Sequence, residues 1–284
     1  MCITVIGDAF VDIIIPTADI RRGETYHRPL RTFVGGAPNI AIQISKIGGT
    51  VNFIGKLGKD PFGFFIKENL KNEGVTDLSV EDLENPTGLC TSLVSKDGER
   101  TMIAMRGSNN HLEKSDLLKH ETTLLNSRII YFSGYSFLSD QNKDSLIPIL
   151  KKSNQNEIYF NPGSPNIASQ FKELIKSYVD VLILNLDESK SLSGETDIPN
   201  ILSKLRGIVK TTLITLGNEG CILFTDGKYQ HVSTNSVKVK DSTGAGDAFV
   251  SGFIIGRTKG FDLETCAKMG NKVALSFLLK KNDN

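Results

Sequence analysis

The sequence predicts an α/β fold with a mostly parallel central sheet and a small β-sheet set apart from it. Three observations carry that prediction. Short apolar runs alternate along most of the chain with segments whose apolar residues recur at helical spacing, the rhythm of a layered core. Two of those runs, 181–184 and 213–216, are apolar almost throughout, as expected of parallel strands covered by helices on both faces. A hairpin pattern, 88–94 and 100–104 around Lys96-Asp97-Gly98, interrupts the rhythm and is assigned with residues 14–34 to a small β lid.

Size and composition agree with one domain spanning 1–284. A chain of 284 residues with 39% hydrophobic and 23% charged residues is ordinary globular material with enough length for a large core. Its 33 basic and 32 acidic side chains leave a net charge of +1, so no overall field points to nucleic acid or a membrane surface. The cysteines, Cys2, Cys90, Cys221 and Cys266, are widely spaced and form no Cys-x-x-Cys pair. Buried thiols are expected rather than a disulfide framework or a zinc site. With no basic leader before the apolar residues at 3–6 and no apolar run near ~20 residues, a cytoplasmic protein is expected.

Taken in order, 3–6 reads as a strand ended by Gly7-Asp8, and 10–15 as another that contains Asp12. An acid in such a run is costly to bury alone, so Asp12 either lies on a solvent face or faces a polar ligand. Gly35-Gly36-Ala37-Pro38-Asn39 opens a helix patterned through Ile40, Ile44 and Ile47. Asn39 is there either as the helix cap or as a binding residue. A strand at 51–54 precedes a helix begun by Asp60-Pro61, with Phe62, Phe65, Ile66 and Leu70 on one face. Beyond the hairpin, strands are expected at 129–132, 158–160, 181–184 and 213–216, with helices after Asp140 and over 167–178. A second hairpin turns at Asp226-Gly227, and Val237 and Val239 suggest a strand. The last helix, capped by Asp262, is expected to bury Ala267, Val273, Ala274, Phe277 and Leu278.

The chemistry is concentrated in Asp241-Ser242-Thr243-Gly244-Ala245-Gly246-Asp247. It falls between strand-like and helical sequence, so the N–H groups of a helix start are available as an anion site. Asp247 stands at its mouth, where the helix dipole favours the ionised form. A base beside a phosphate cradle is what transfer of phosphate to an alcohol needs. Other polar turns, Asn185-Leu186-Asp187-Glu188 and Gly217-Asn218-Glu219-Gly220, follow strands at the edge of the sheet where ligands bind in open α/β folds. Neither a dinucleotide Gly-x-Gly-x-x-Gly nor a Walker loop occurs.

These pieces in this order resemble the ribokinase-like, or PfkB, carbohydrate kinases. The early match is Gly35-Gly36-Ala37-Pro38-Asn39-Ile40-Ala41, with Gly48 and Gly58 after it. The late match is 241–247 with Ser251-Gly252-Phe253, and Asn185-x-x-Glu188 and Thr215-Leu216-Gly217-x-x-Gly220 fall between. The resemblance implies a three-layer α/β/α domain with a β lid, acting as an ATP-dependent sugar kinase on a hydroxymethyl group. It implies Asp247 as catalytic base and the amides of Gly244, Ala245 and Gly246 as the anion hole. Asp12, Gly35, Gly36, Asn39 and Arg106 become substrate positions. Asn185, Glu188, Thr215, Gly217, Gly220, Thr243 and Asn271 become nucleotide positions, with Glu188 organising Mg²⁺ indirectly and Asp241 and Thr243 offering a K⁺ site. A small sugar-like substrate is implied as partner, with a homodimer formed through the lid. Phe10, where the ribokinase branch commonly has asparagine, and Asn161-Pro162-Gly163, which lacks an arginine common in fructokinase relatives, leave the acceptor open. A nucleoside kinase, which Phe10 and Phe33 would suit, and a non-catalytic sugar-binding regulator are the alternatives.

Overall fold

The computed structural model describes residues 2–16, 31–94, 100–237 and 242–282. Within them a nine-stranded sheet runs in the order Lys228–Val232, Cys221–Thr225, Thr211–Thr215, Val181–Asn185, Glu157–Asn161, Ile129–Ser133, Ile3–Ile6, Val51–Ile54, Thr76–Asp77. All neighbouring strands pair in parallel except at Cys221–Thr225, which runs antiparallel to both Thr211–Thr215 and the edge strand Lys228–Val232. One face packs on the helices Ala37–Lys46 and Ala245–Thr258 through Val5, Phe53, Tyr159 and Ile183, with Tyr159 meeting Phe253 of the second helix. The other buries Phe132, Phe160 and Leu184 against Leu146, Phe171 and Leu202. This is the α/β/α arrangement expected of parallel strands without a solvent face.

The second sheet has four strands in the order Arg31–Gly36, Ala9–Pro16, Gly88–Val94, Arg100–Met105. Its outer pairs are antiparallel and its central pair parallel. This small sheet joins the body through Ala9 and Val11, which are buried in its core, while Met102 and Ile103 on its outer strand are exposed, so it projects from the body at that edge. The turn at 96–98 and most of 14–34 lie outside the described residues.

Several elements differ from their sequence signals. The helix expected over 167–178 is three pieces, Pro165–Ala168, a 3₁₀ turn at Ser169–Phe171, and Lys172–Tyr178. The break lets Phe171 pack edge-on against Phe160, 5.4 Å between centroids. Leu216 falls outside the strand Thr211–Thr215 because its N–H turns to Gly220 O, at 2.8 Å. Residues 233–237 are not strand, and 238–241 lie outside the described residues.

The early helix Pro61–Asn72 buries Gly63, Ile66 and Leu70, leaving Phe62 exposed. In the last helix, Leu263–Asn282, Cys266, Ala267, Gly270 and Asn271 are buried, whereas Val273, Ala274, Phe277 and Leu278 are half-buried. Cys90, Cys221 and Cys266 are buried free thiols and Cys2 is partly exposed. Among the described residues no helix is long and apolar enough to cross a membrane.

Candidate active site

The site lies where the helix Ala245–Thr258 begins, beyond the carboxyl ends of the central parallel strands. Gly244 is its N-cap at φ 87°, a left-handed conformation that glycine adopts without steric cost. A Cβ on Gly244 would also meet the Phe277 ring at 2.8 Å. Ala245 departs from the expected anion hole, because its N–H closes a turn onto Ser242 O at 3.1 Å. Gly244 and Gly246 line the cavity beside the turn; Ala245 does not.

Asp247 is in the first turn of that helix. Its Oδ2 accepts a hydrogen bond from Asn39 Nδ2 at 2.7 Å, joining the two motifs across 208 positions of sequence. Asn39 is therefore not a cap: the cap of its helix is Gly36, at φ 72°, without a side-chain bond. Ser251 Oγ donates to Asp247 O at 2.8 Å and lies 3.4 Å from Ile40 O, linking the same two helices. The dipole was expected to keep Asp247 readily ionised. Instead burial pushes its pKa up to about 6, opposed by the Asn39 bond.

Asp12 lies opposite Phe33 on one side and Cys90 on the other. Its carboxylate sits over Gly35, where a Cβ would come within 2.3 Å of an Asp12 oxygen; only glycine leaves that space. Burial first, and then the charge of Asp247, push Asp12 up to about 6. Asp12 is half-buried rather than on an open solvent face, and it does not line the cavity beside Asp247. Gly36 is fixed as glycine by its conformation and by Asp8 O, 2.3 Å from where a Cβ would stand.

Asn185 and Glu188 form a reciprocal capping box: Glu188 N donates to Asn185 Oδ1 at 2.8 Å, and Asn185 N to Glu188 Oε2 at 2.9 Å. Glu188 is only 3% exposed, and burial is the main cause that raises its pKa. A cavity of about 210 Å³ brings Glu188 together with Asp247, Thr215, Gly246, Asn161 and Tyr131. Sequence reasoning does not single out Tyr131, and reads Asn161 only as part of Asn161-Pro162-Gly163, a departure from fructokinase relatives. Asn161 donates to Ile183 O at 2.8 Å and to Glu188 Oε2 at 3.4 Å; its position at a strand's carboxyl end, like Asn185 and Thr215, was the available signal. Tyr131 gave none, since it reads as part of an apolar strand.

Other expected site residues make contacts of their own within the protein. Arg106 neither reaches into the cavity nor is left to solvent: it pairs with Asp8 at 2.6 Å and donates to Asn110 Oδ1 at 2.6 Å and Tyr135 O at 3.0 Å. Asp8 is nevertheless pushed up to about 6, because burial outweighs the guanidinium. Asn271, expected beside a nucleotide base, is buried and its amide donates to Val232 O and Ser233 O at 2.9 and 3.3 Å. It ties the last helix to the sheet edge. Thr215 Oγ1 donates to Leu184 O at 3.3 Å while the residue still lines the cavity. Gly217 and Gly220 shape the turn into Cys221–Thr225 and are not cavity-lining. The Thr243 carbonyl accepts from Lys281 Nζ at 2.9 Å, and Asp241 lies outside the described residues. A K⁺ site at these two positions therefore has a protein ammonium at one and nothing described at the other.

Magnesium fits the remaining donor set. Glu188 and Asp247 are two carboxylates in one cavity, each with its charged form disfavoured by burial, a situation that a cation relieves. Among the described residues no group of three or more His, Cys, Asp or Glu could form a protein-only metal cage. That suits Mg²⁺, which keeps several waters and is held through one or two carboxylates and substrate phosphates.

A parallel α/β body with a projecting sheet, and a carboxylate beside a helix N-terminus at the sheet's carboxyl edge, define a phosphotransferase of the ribokinase-like class. The pfkB family carbohydrate kinase model matches residues 2–284, and the chain belongs to that family. It is similar to adenosine kinase 2 of Arabidopsis thaliana, 29% identical over 83% of this chain and 75% of the relative. It is also similar to a fructokinase of Escherichia coli, 29% identical over 89% and 83%. The solved adenosine kinase from Sinorhizobium meliloti superposes with a TM-score of 0.86 at 27% identity, covering 96% of this chain and 92% of that one. Membership of a kinase family implies ATP as the phosphoryl donor.

Proposed function

We propose that the protein transfers the γ-phosphate of ATP to a hydroxymethyl group of a small carbohydrate. The observation that carries this reading is the 2.7 Å bond between Asn39 and Asp247, which brings the acceptor side and the phosphate side to one carboxylate. Asp247 is the base that takes the proton of the attacking hydroxyl, and Asn39 fixes which of its oxygens faces the acceptor. Asp12 accepts hydrogen bonds from neighbouring hydroxyls of the substrate, in space kept open by Gly35. The Gly244 and Gly246 amides stabilise charge on the group in transit. Glu188, oriented by Asn185 and Asn161, would hold waters of Mg²⁺, which when bound neutralises phosphate charge. The sheet carrying Asp12 acts as a lid that excludes water from the transfer, and its exposed Met102 and Ile103 fit pairing of two lids in a homodimer.

Phe33, which is 45% exposed and directly opposite Asp12, favours a second reading in which the acceptor is a nucleoside whose base lies on that ring. The two readings separate in an ATP-consumption screen over sugars, sugar acids, sugar phosphates and nucleosides. Turnover on sugars alone supports the first, turnover on nucleosides the second, and binding without turnover on every compound supports a regulator.

A further inference from the structure

Tyr131 is only 2% exposed, yet it lines the same cavity as Asp247 and Glu188. It lies two residues below the end of its strand, Ile129–Ser133, and pairs in register with Tyr159. Asn161 and Asn185, by contrast, are the terminal residues of theirs. Its ring therefore rises from the sheet as part of the cavity floor. Asp247 and Glu188 both act electrostatically on its hydroxyl, which burial and those two charges keep protonated. The proton is available for donation, and among the described residues the hydroxyl has no hydrogen-bond partner.

The other side-chain donors around this floor are largely committed. Asn161 gives its amide to Ile183 O and Glu188, Thr215 its hydroxyl to Leu184 O, and Asn39 its amide to Asp247. The Tyr131 hydroxyl is not one of the sealed-off polar atoms left without a partner; it stands open at the cavity wall, where an entering acceptor can reach it. The two neighbouring carboxylates oppose entry of an anion, so a phosphate settling between them needs donors as well as a cation.

We propose that Tyr131 is a phosphate-contacting residue, whose hydroxyl donates to the terminal phosphate of the bound nucleotide from the side facing the Gly244 and Gly246 amides. The inference rests on the kinase reading and extends it. A hydrogen bond to a charged group is sensitive to loss of one oxygen atom, and Tyr131→Phe removes that atom while retaining the ring.

The test is calorimetric binding, with Mg²⁺, of the β,γ-imido analogue of ATP and of ADP to wild type, Tyr131→Phe and Tyr159→Phe. Tyr159 is the control, because its hydroxyl is bonded to Glu157 at 3.1 Å. Tyr131→Phe is expected to bind the triphosphate analogue roughly tenfold more weakly, as loss of a charge-assisted hydrogen bond implies, and ADP within twofold of wild type. Tyr159→Phe is expected to match wild type for both ligands. Equal weakening for both nucleotides, or no weakening for either, in a Tyr131→Phe protein that melts normally overturns the assignment and leaves the kinase reading in place. Failure of the wild type to bind either nucleotide overturns both.

Discussion

Replacing Asp247 by Asn is expected to stabilise the protein at neutral pH while removing its activity. The structure supplies the magnitude. Burial raises the Asp247 carboxyl from an ordinary 3.8 to about 6, and at 1.36 kcal/mol per unit this corresponds to about 3 kcal/mol against the ionised form. Asp247 is only half-buried by its exposed surface, so solvent screening reduces that figure and about 2 kcal/mol is the working value. The sign follows from proton linkage: a carboxyl whose folded-state pKa is raised binds its proton more tightly when folded. Its favourable contribution is complete below pH 3.8 and is lost as pH rises through about 6. Above that, the folded state carries the cost. Asn has no charge to desolvate, keeps an oxygen for the bond from Asn39, and removes one cause of the raised pKa of Asp12.

The assay is urea denaturation of wild type and variant at pH 7.5 and pH 4. The variant should be more stable by about 2 kcal/mol at pH 7.5, with the advantage largely gone at pH 4. A variant less stable than wild type at pH 7.5, or an advantage independent of pH, would refute the argument that burial of this charge is held against a folding cost.

Two further outcomes follow from the same geometry. Gly35→Ala places a methyl where the Asp12 carboxylate lies, 2.3 Å away, and should raise the KM for the acceptor at least tenfold while nucleotide affinity stays within twofold, both measured by steady-state kinetics. In a pH–rate profile, kcat/KM should fall toward tenfold per unit below about pH 6, because protonation of Asp247 removes the base. Asp12 titrates in the same range and feels the charge of Asp247, so the observed value belongs to the pair; a rate flat down to pH 4.5 would contradict the role of Asp247.

The layered body was legible because parallel strands buried on both faces must be apolar, as 181–184 and 213–216 are. The motif glycines were legible for a related reason. Gly35, Gly36 and Gly244 stand where conformation or a neighbouring group forbids a side chain, and such positions leave a local mark in sequence. Asn161 was legible only through its place at a strand's carboxyl end, which gains meaning once strand ends align across the sheet. Tyr131 was not legible, because a tyrosine inside an apolar strand looks the same whether its hydroxyl meets a cavity or the core. The structural part of Asn271 was also hidden: a polar residue on a late helix near ligand-bearing turns can hold that helix to a sheet edge, and its two carbonyl acceptors are 38 and 39 positions away. Arg106 could not be read at all without the fold, since its partner Asp8 is in another strand–turn unit.

The central claim is that one carboxylate beside a helix N-terminus removes the acceptor's proton while phosphate is transferred. Single-turnover transfer from γ-labelled ATP to whichever acceptor the screen identifies, measured for wild type and Asp247→Asn together with ATP binding, addresses it most directly. ATP affinity should stay within about threefold of wild type while transfer falls by ~10²–10⁴-fold; transfer by the variant within tenfold of wild type would contradict the account.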